Sequence, residues 1–232
     1  MLNLFDIPRN DWKDEYEDVL SDDYVSKKYN REKRLTKKLA YIKNYLPEFY
    51  NDIQNGIIVD LGPGPGEFLE LFREKGYSAI GFDTKIGDSY MGDEYLKISR
   101  LMVERQRLDV RYVGVETLLN FPFEDGEVLL VNSQGSIEQI FKEFLIVKPC
   151  KIHKDYRRIS WDMSDKMIER ITNFFKEIYR ILKKDGVCLI YGNRTKNNKP
   201  YANLIRNIIG SIDGFHLEMD IKDRLHKIRK TK

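Results

Sequence analysis

Short apolar runs recur along the chain and are separated by longer amphipathic segments. Each run is rich in β-branched residues and too short for a helix, a pattern typical of strands buried on both faces of a parallel sheet. Two later runs, 215–220 and 224–230, alternate apolar with polar residues and stand close together, which predicts an antiparallel hairpin at the edge of that sheet. The buried strands are predicted at 56–62, 78–83, 110–115, 127–133 and 186–192.

The segments between these runs carry apolar residues at helical spacing. The clearest is 164–182, where Ser164 can cap the start and Gly186 follows the end. A similar pattern at 31–46 predicts a helix before the first strand, with Pro47 after it. Because strands and helices alternate, we expect the α/β fold class, a parallel sheet with helices on both faces. Further helices are predicted at 66–76, 93–106 and 200–210.

The composition indicates where the protein is located but does not identify a binding partner. The chain has 232 residues, and forty basic against thirty-seven acidic residues leave a net charge of +3, whereas a nucleic-acid-binding protein usually has a stronger basic footprint. Cys150 and Cys188 are too few for a disulfide framework. The acidic first twenty residues do not resemble a signal peptide, and no apolar stretch approaches the roughly 20 residues of a membrane span. We therefore expect a cytoplasmic protein without a membrane span.

The segment DLGPGPGEF, residues 60–68, places three glycines and two prolines between the first strand and the next helix. Ligands of parallel sheets bind at this end of the strands, and glycines let a ligand approach the backbone. The spacing is G-x-G-x-G, with Glu67 where a dinucleotide site has its third glycine, and no Lys-Ser or Lys-Thr pair follows. The loop therefore suits a nucleoside without a pyrophosphate. Asp60 can order the loop or accept from an ammonium group, and Asp83 can accept both hydroxyls of a ribose.

Four motifs resemble those of the class I S-adenosylmethionine-dependent methyltransferases. They are IIVDLGPGPGEF, the GFD that ends the second strand, FPFEDGEVLLVNS, and FFKEIYRILKKDGVCLIYGN. The resemblance covers roughly residues 55–232, including the terminal hairpin. It implies a Rossmann-like, doubly wound three-layer α/β/α fold, mostly parallel with an antiparallel terminal hairpin. It also implies S-adenosylmethionine as cofactor, S-adenosylhomocysteine as product, and no metal.

The resemblance also implies roles for residues of the cofactor site. Three glycines would flank the methionine and ribose portions, Asp60 would support the amino end, and Asp83 would hold the ribose. In many relatives an acidic residue after the third strand binds the adenine. Val115 stands in that place, so either Glu116 substitutes for the acid or the adenine meets backbone groups only. The predicted cofactor residues are Asp60, Gly62, Gly64, Gly66, Asp83, Glu116, Asn132 and Ser133.

A segment near 141–163 lies between the fourth strand and the long helix. Proteins of this fold usually carry the segment that covers the substrate at this place. It mixes basic and aromatic residues, which suits an anionic metabolite, an RNA surface or an ordinary solvated loop. His153 is the candidate general base, because histidine titrates near neutral pH. The NSQG stretch after the fourth strand is not the Asn-Pro-Pro-aromatic motif of base-methylating relatives. The predicted substrate residues are Gln134, Glu138, Arg157 and Trp161.

These expectations combine into one functional hypothesis. Residues 1–50 form a helical extension, which either packs against the sheet edge, the interpretation we favour, or covers the cofactor cleft. Residues 51–232 form a methyltransferase domain that acts on an oxygen or nitrogen atom of a small or medium-sized metabolite, with an anionic metabolite as one candidate. The alternatives are an RNA methyltransferase and a non-catalytic module of the same fold that binds a partner. The oligomeric state stays open.

Overall fold

The computed structural model describes residues 31–51, 55–84, 93–136, 141, 145–149, 157–161, 164–191, 199–221 and 225–232. Within these ranges, the segments 145–149 and 157–161 are described by their backbone alone. Within these ranges the chain forms nine strands and six α-helices.

Nine strands form two sheets, one of seven strands and one of two. They are β1 Ile57–Leu61, β2 Ser78–Thr84, β3 Asp109–Val113, β4 Val128–Gln134, β5 Leu145–Pro149, β6 Arg157–Trp161, β7 Leu182–Tyr191, β8 Phe215–Ile221 and β9 Leu225–Lys230. The helices are α1 Arg31–Tyr45, α2 Pro47–Asn51, α3 Glu67–Glu74, α4 Asp93–Arg105, α5 Asp165–Ile181 and α6 Lys199–Ser211, with a 3₁₀ helix at Val115–Leu119.

The large sheet has the strand order β3-β2-β1-β4-β7-β9-β8. Its first five strands are parallel, whereas β9 runs antiparallel to β7, and β8 antiparallel to β9 at the sheet edge. The predicted α/β class, mostly parallel sheet and terminal edge hairpin are thus confirmed. Because the chain moves outward from β1 to β3 and then returns to the other side of β1, the order reverses between β1 and β4. A ligand crevice is expected at the carboxyl ends of these two strands.

Helices cover both faces of the sheet, which produces three layers. The longest helix, α5, buries one complete face because its apolar residues keep the helical period, and the Met167 N–H donates to the Oγ of the N-cap Ser164 at 3.4 Å. Buried residues on the α5 and α6 face include Ile171, Phe174, Phe175, Ile178, Ile205 and Ile209. Those on the α1, α2 and α3 face include Ile42, Leu46, Phe49, Phe68 and Phe72.

Two local features differ from the sequence-based expectation. The long helix ends at Ile181 and passes directly into β7, where Val128 faces Leu182 and Leu130 faces Val187. The four residues 183–186 therefore bulge out of the strand, with Asp185 at φ 64°. The segment expected only as a substrate cover contains an antiparallel pair, β5 and β6. No helix within the described ranges has both the length and the apolar character to cross a membrane.

Candidate active site

The glycine loop after β1 lies where the strand order reverses, and all three of its glycines need a left-handed backbone. Their φ angles are 68° at Gly62, 54° at Gly64 and 86° at Gly66. A Cβ atom on Gly62 would lie 2.1 Å from Ser136 Oγ, and one on Gly66 would lie 2.3 Å from Leu108 Cδ1. At two of these glycines the missing side chain therefore makes room for neighbouring protein atoms, while the backbone turns towards the crevice.

Asp60 and Asn132 sit side by side at the carboxyl ends of β1 and β4. Asn132 Nδ2 donates to Asp60 Oδ1 at 2.6 Å, and both residues are buried. Burial raises the pKa of Asp60 to about 7, assisted by the negative charges of Asp83 and Glu67 and opposed by Lys38 and the Asn132 hydrogen bond. A buried carboxylate that has lost its hydrating water is stabilised by a cationic partner. The pair suits the ammonium group of a ligand.

A polar face of α1 reaches over these strand ends. Its four side chains recur every three or four residues, as required for one side of a helix. Ile42 of α1 and Leu46, the residue after this helix, pack on the face of the sheet, not at its edge. The favoured edge interpretation is therefore corrected. The polar face consists of Arg31 paired with Glu70, Arg34 paired with the fully buried Glu67, Lys38 donating to Gln134 Oε1, and the Tyr41 hydroxyl donating to Asn132 Oδ1 at 3.4 Å.

Burial perturbs the two side chains of this face that lie deepest. It lowers the pKa of Lys38, although the charges of Asp60 and Glu67 oppose the change. It also raises the pKa of the Tyr41 phenol, which therefore stays a hydrogen-bond donor at neutral pH.

Asp83 is the next-to-last residue of β2 and lies on the same side of the sheet as Asp60. Gly81 is the register partner of Asp60, and Asp83 follows two residues later, so both carboxylates project from one face. The register partner of Asp83 is Tyr112, over whose ring the Arg100 guanidinium lies at 4.1 Å. The crevice thus has one carboxylate at each of two neighbouring strand ends, with the glycine loop between them.

A methyltransferase-domain family model matches residues 29–192, more than half of the chain. The chain belongs to this methyltransferase family. It is a class I enzyme, and S-adenosylmethionine is its cofactor. The buried Asp60, the left-handed glycines and Asp83 fit that group, because a cation, a close backbone approach and a ribose diol are what they can accept.

Solved structures share the fold at low sequence identity. Monomeric WbdD is 14% identical with a TM-score of 0.50, and the match covers 85% of this chain but 41% of WbdD. A Methanococcus maripaludis protein assigned as an S-adenosylmethionine-dependent methyltransferase is 18% identical with a TM-score of 0.46, covering 84% of this chain and 91% of that one. An Archaeoglobus fulgidus methyltransferase is 16% identical, covering 81% and 73%, with a TM-score of 0.47. No curated protein compared with the sequence matches it significantly.

The structure describes the surroundings of three other predicted residues of the methyltransferase. Glu116 has a 79% exposed side chain and pairs with Arg170 on α5 at 2.5 Å, and its contact with the adenine stays a prediction. Ser133 is buried, but it follows Asn132 along β4 and so projects from the opposite face. Gln134 does join the crevice, through Lys38. The described residues contain no cluster that could hold a metal ion.

The remaining predicted residues cannot be placed in the crevice. Glu138 and His153 lie outside the described residues, and for Arg157 and Trp161 the register alone is described, opposite Pro149 and Leu145. Their roles in the methyltransferase stay predictions. Sequence reasoning missed Arg34, Lys38 and Tyr41, although these residues flank the apolar stripe of α1 and could have been found as its polar counterpart.

Proposed function

We propose that the methyltransferase transfers the methyl group of S-adenosylmethionine to an oxygen or nitrogen atom of a small or medium-sized metabolite in the cytoplasm. The observation that carries this proposal is the position of α1. Lys38 and Tyr41 reach Gln134 and Asn132 across the carboxyl end of β4, which narrows the approach to the crevice. A narrow approach favours a small acceptor over a folded polymer.

The cofactor brings its own electrophile, a methyl group on a sulfonium, so the protein contributes mainly binding and alignment. Asp60 would hold the ammonium end, with its carboxylate oriented by the 2.6 Å hydrogen bond from Asn132. Asp83 would hold the ribose. These two anchors sit on adjacent strands and would fix the direction in which the methyl group points.

The acceptor must then attack in line with the bond that breaks. An acceptor atom that keeps its proton needs a general base, and His153 remains our candidate. Within the described residues, the Tyr41 phenol has a raised pKa, so it serves as a donor and not as the base.

RNA is the second candidate acceptor, and one observation favours an anionic acceptor of either kind. The register of the β5–β6 pair sets Lys148 opposite Arg158, and like charges directly opposite each other destabilise a strand pair. Such a pair gains from an anionic partner, whether a metabolite or a phosphate backbone. RNA binding would weaken steeply with added salt, because it releases counterions.

The first test is calorimetric titration with S-adenosylmethionine, S-adenosylhomocysteine and NAD, repeated on Asp83→Ala. We expect the first two to bind, NAD not to bind, and the variant to lose affinity. The second test follows S-adenosylhomocysteine release with cell extract split by size, with and without ribonuclease. Turnover with the small fraction supports the proposal. Turnover only with ribonuclease-sensitive material would favour RNA, and cofactor binding without any turnover would favour a non-catalytic module.

A further inference from the structure

Four side chains gather on the side of the crevice away from Asp83. Lys38 and Tyr41 come from α1, Gln134 ends β4, and Tyr191 ends β7. We call them the β4–β7 cluster. The pairing of β1 with β4 stops at Leu61 opposite Ser133, whereas Gln134 pairs with Tyr191. The cluster therefore extends beyond β1 towards β7, while the glycine loop and Asp83 lie towards β2.

The cluster holds hydrogen-bond donors that the described residues do not satisfy. An ammonium group carries three N–H donors, and within the described part of the chain Lys38 donates one hydrogen bond, to Gln134 Oε1. Because Oε1 accepts from Lys38, the amide orientation of Gln134 is fixed and Nε2 points elsewhere. Nε2 is buried and has no hydrogen-bond partner of good geometry, although the amide lies close enough to Tyr41 to oppose the rise of the phenol pKa. A buried donor without a partner is costly, which indicates a place for an acceptor oxygen.

Aromatic rings border these donors. Tyr191 is 44% exposed and is the one large hydrophobic side chain exposed among the described residues. Its ring centroid lies 6.2 Å from that of Tyr41, which packs against Tyr45 at 5.1 Å. An exposed tyrosine held by ring contacts at a strand end offers a flat apolar surface for a ligand.

The two carboxylates that attract Lys38 form their hydrogen bonds with other residues. Asp60 is hydrogen-bonded to Asn132, and Glu67 is paired with Arg34. Both attract Lys38 through space, but neither is its hydrogen-bond partner. An additional anion at Lys38 could therefore accept hydrogen bonds from its ammonium group without breaking the Asp60–Asn132 or the Glu67–Arg34 pair.

We propose that the β4–β7 cluster binds the methyl acceptor and selects one that carries a carboxylate on a planar apolar body. Lys38 Nζ and Gln134 Nε2 donate to the carboxylate, and Tyr191 packs against the planar body. This assignment names the acceptor class of the proposed methyl transfer and rests on it. The cation is supplied by α1, so the helix acts in selecting the acceptor as well as in narrowing the approach.

The test uses benzoate as the probe and benzyl alcohol as its neutral counterpart. Both are titrated by ligand-observed NMR into the full chain loaded with S-adenosylhomocysteine. We expect benzoate to bind about tenfold or more tightly than benzyl alcohol, since hydrogen bonds to charged groups are the stronger ones. Lys38→Met and Gln134→Glu should each abolish this preference, the second because the new carboxylate pairs with Lys38 and repels benzoate. Lys37→Met, a change on the exposed side of the same helix, should retain it.

The affinity for S-adenosylhomocysteine, measured by calorimetry on the same proteins, separates the outcomes. Equal affinity in wild type and Lys38→Met, with loss of the benzoate preference, supports the acceptor assignment. Weaker S-adenosylhomocysteine binding in Lys38→Met with benzoate unaffected would assign the cation to the cofactor carboxylate and overturn it. A wild type that binds S-adenosylhomocysteine but shows no benzoate preference would also overturn it. A wild type that does not bind S-adenosylhomocysteine would instead refute the proposed function.

Discussion

Replacement of Asp60 by asparagine should stabilise the cofactor-free protein and weaken cofactor binding. Asparagine keeps an oxygen that can accept the hydrogen bond from Asn132 Nδ2, now 2.6 Å from Asp60, but it never carries a charge. The folded protein would then avoid placing a carboxylate in a site where the aspartate is 3% exposed. The same change removes the anion that would hold the ammonium group of the cofactor.

The size of the stability gain follows from the raised pKa of Asp60. The rise from 3.8 to about 7 corresponds to about 4 kcal/mol at roughly 1.4 kcal/mol per pH unit. Because the unfolded chain loses this proton near pH 4 and the folded protein keeps it to about pH 7, the folded state binds more protons between these values, and the contribution of Asp60 to stability falls as pH rises. Between pH 5 and pH 8, the stability of Asp60→Asn relative to wild type should grow by about 3 kcal/mol.

Urea unfolding of the cofactor-free proteins at pH 5 and pH 8 measures this difference. Asp109→Asn serves as the control, because Asp109 has a 54% exposed side chain and its replacement should produce no comparable growth with pH. Calorimetry at pH 8 should show weaker S-adenosylmethionine binding to Asp60→Asn. If the variant is destabilised equally at both pH values, the inference that burial raises the pKa of Asp60 is refuted.

Three further substitutions test the loop and the core. Gly62→Ala combines a left-handed backbone with a Cβ 2.1 Å from Ser136 Oγ, and should lower the thermal midpoint and reduce cofactor affinity in calorimetry; unchanged values for both would contradict the loop geometry. Phe174→Ala removes a fully buried ring between α5 and the sheet and should cost about 3–5 kcal/mol in urea unfolding, so a loss below 1 kcal/mol would argue against this packing. Ser164→Ala removes the α5 N-cap and should cost about 1 kcal/mol; Ser164→Asp, which can still cap, should restore most of it.

The architecture could be predicted because local periodicity determines it here. The strands β1, β2 and β4 are short apolar runs with no competing helical pattern, and α5 keeps its period throughout. The β8–β9 hairpin was visible because alternating runs lay close together. In contrast, no periodicity marks β5 and β6, since charged residues interrupt the alternation at Lys148 and Arg157.

The candidate site could be predicted only where its residues lie in or directly after the carboxyl end of a strand. Asp60, Gly62 and Asp83 stand at strand ends, a position that the sequence makes visible. Lys38 could not be found in this way, because its partner Gln134 lies 96 residues further along the chain. Glu116 was chosen for its position after β3; its side chain pairs with Arg170, and its role at the adenine stays a prediction.

The contact between Gly62 and Ser136 links the segment after β1 to the segment after β4. Ser136 Oγ donates to the Gly62 carbonyl oxygen at 3.2 Å and fills the space that a side chain at Gly62 would need. The loop after β1 would hold the cofactor, whereas Ser136 lies two residues after Gln134, which we propose to contact the acceptor. A displacement of one loop must therefore be shared by the other. Such a linkage would couple the two proposed sites, so that each ligand changes the affinity for the other by the same factor, and benzoate titration with and without S-adenosylhomocysteine would measure that factor.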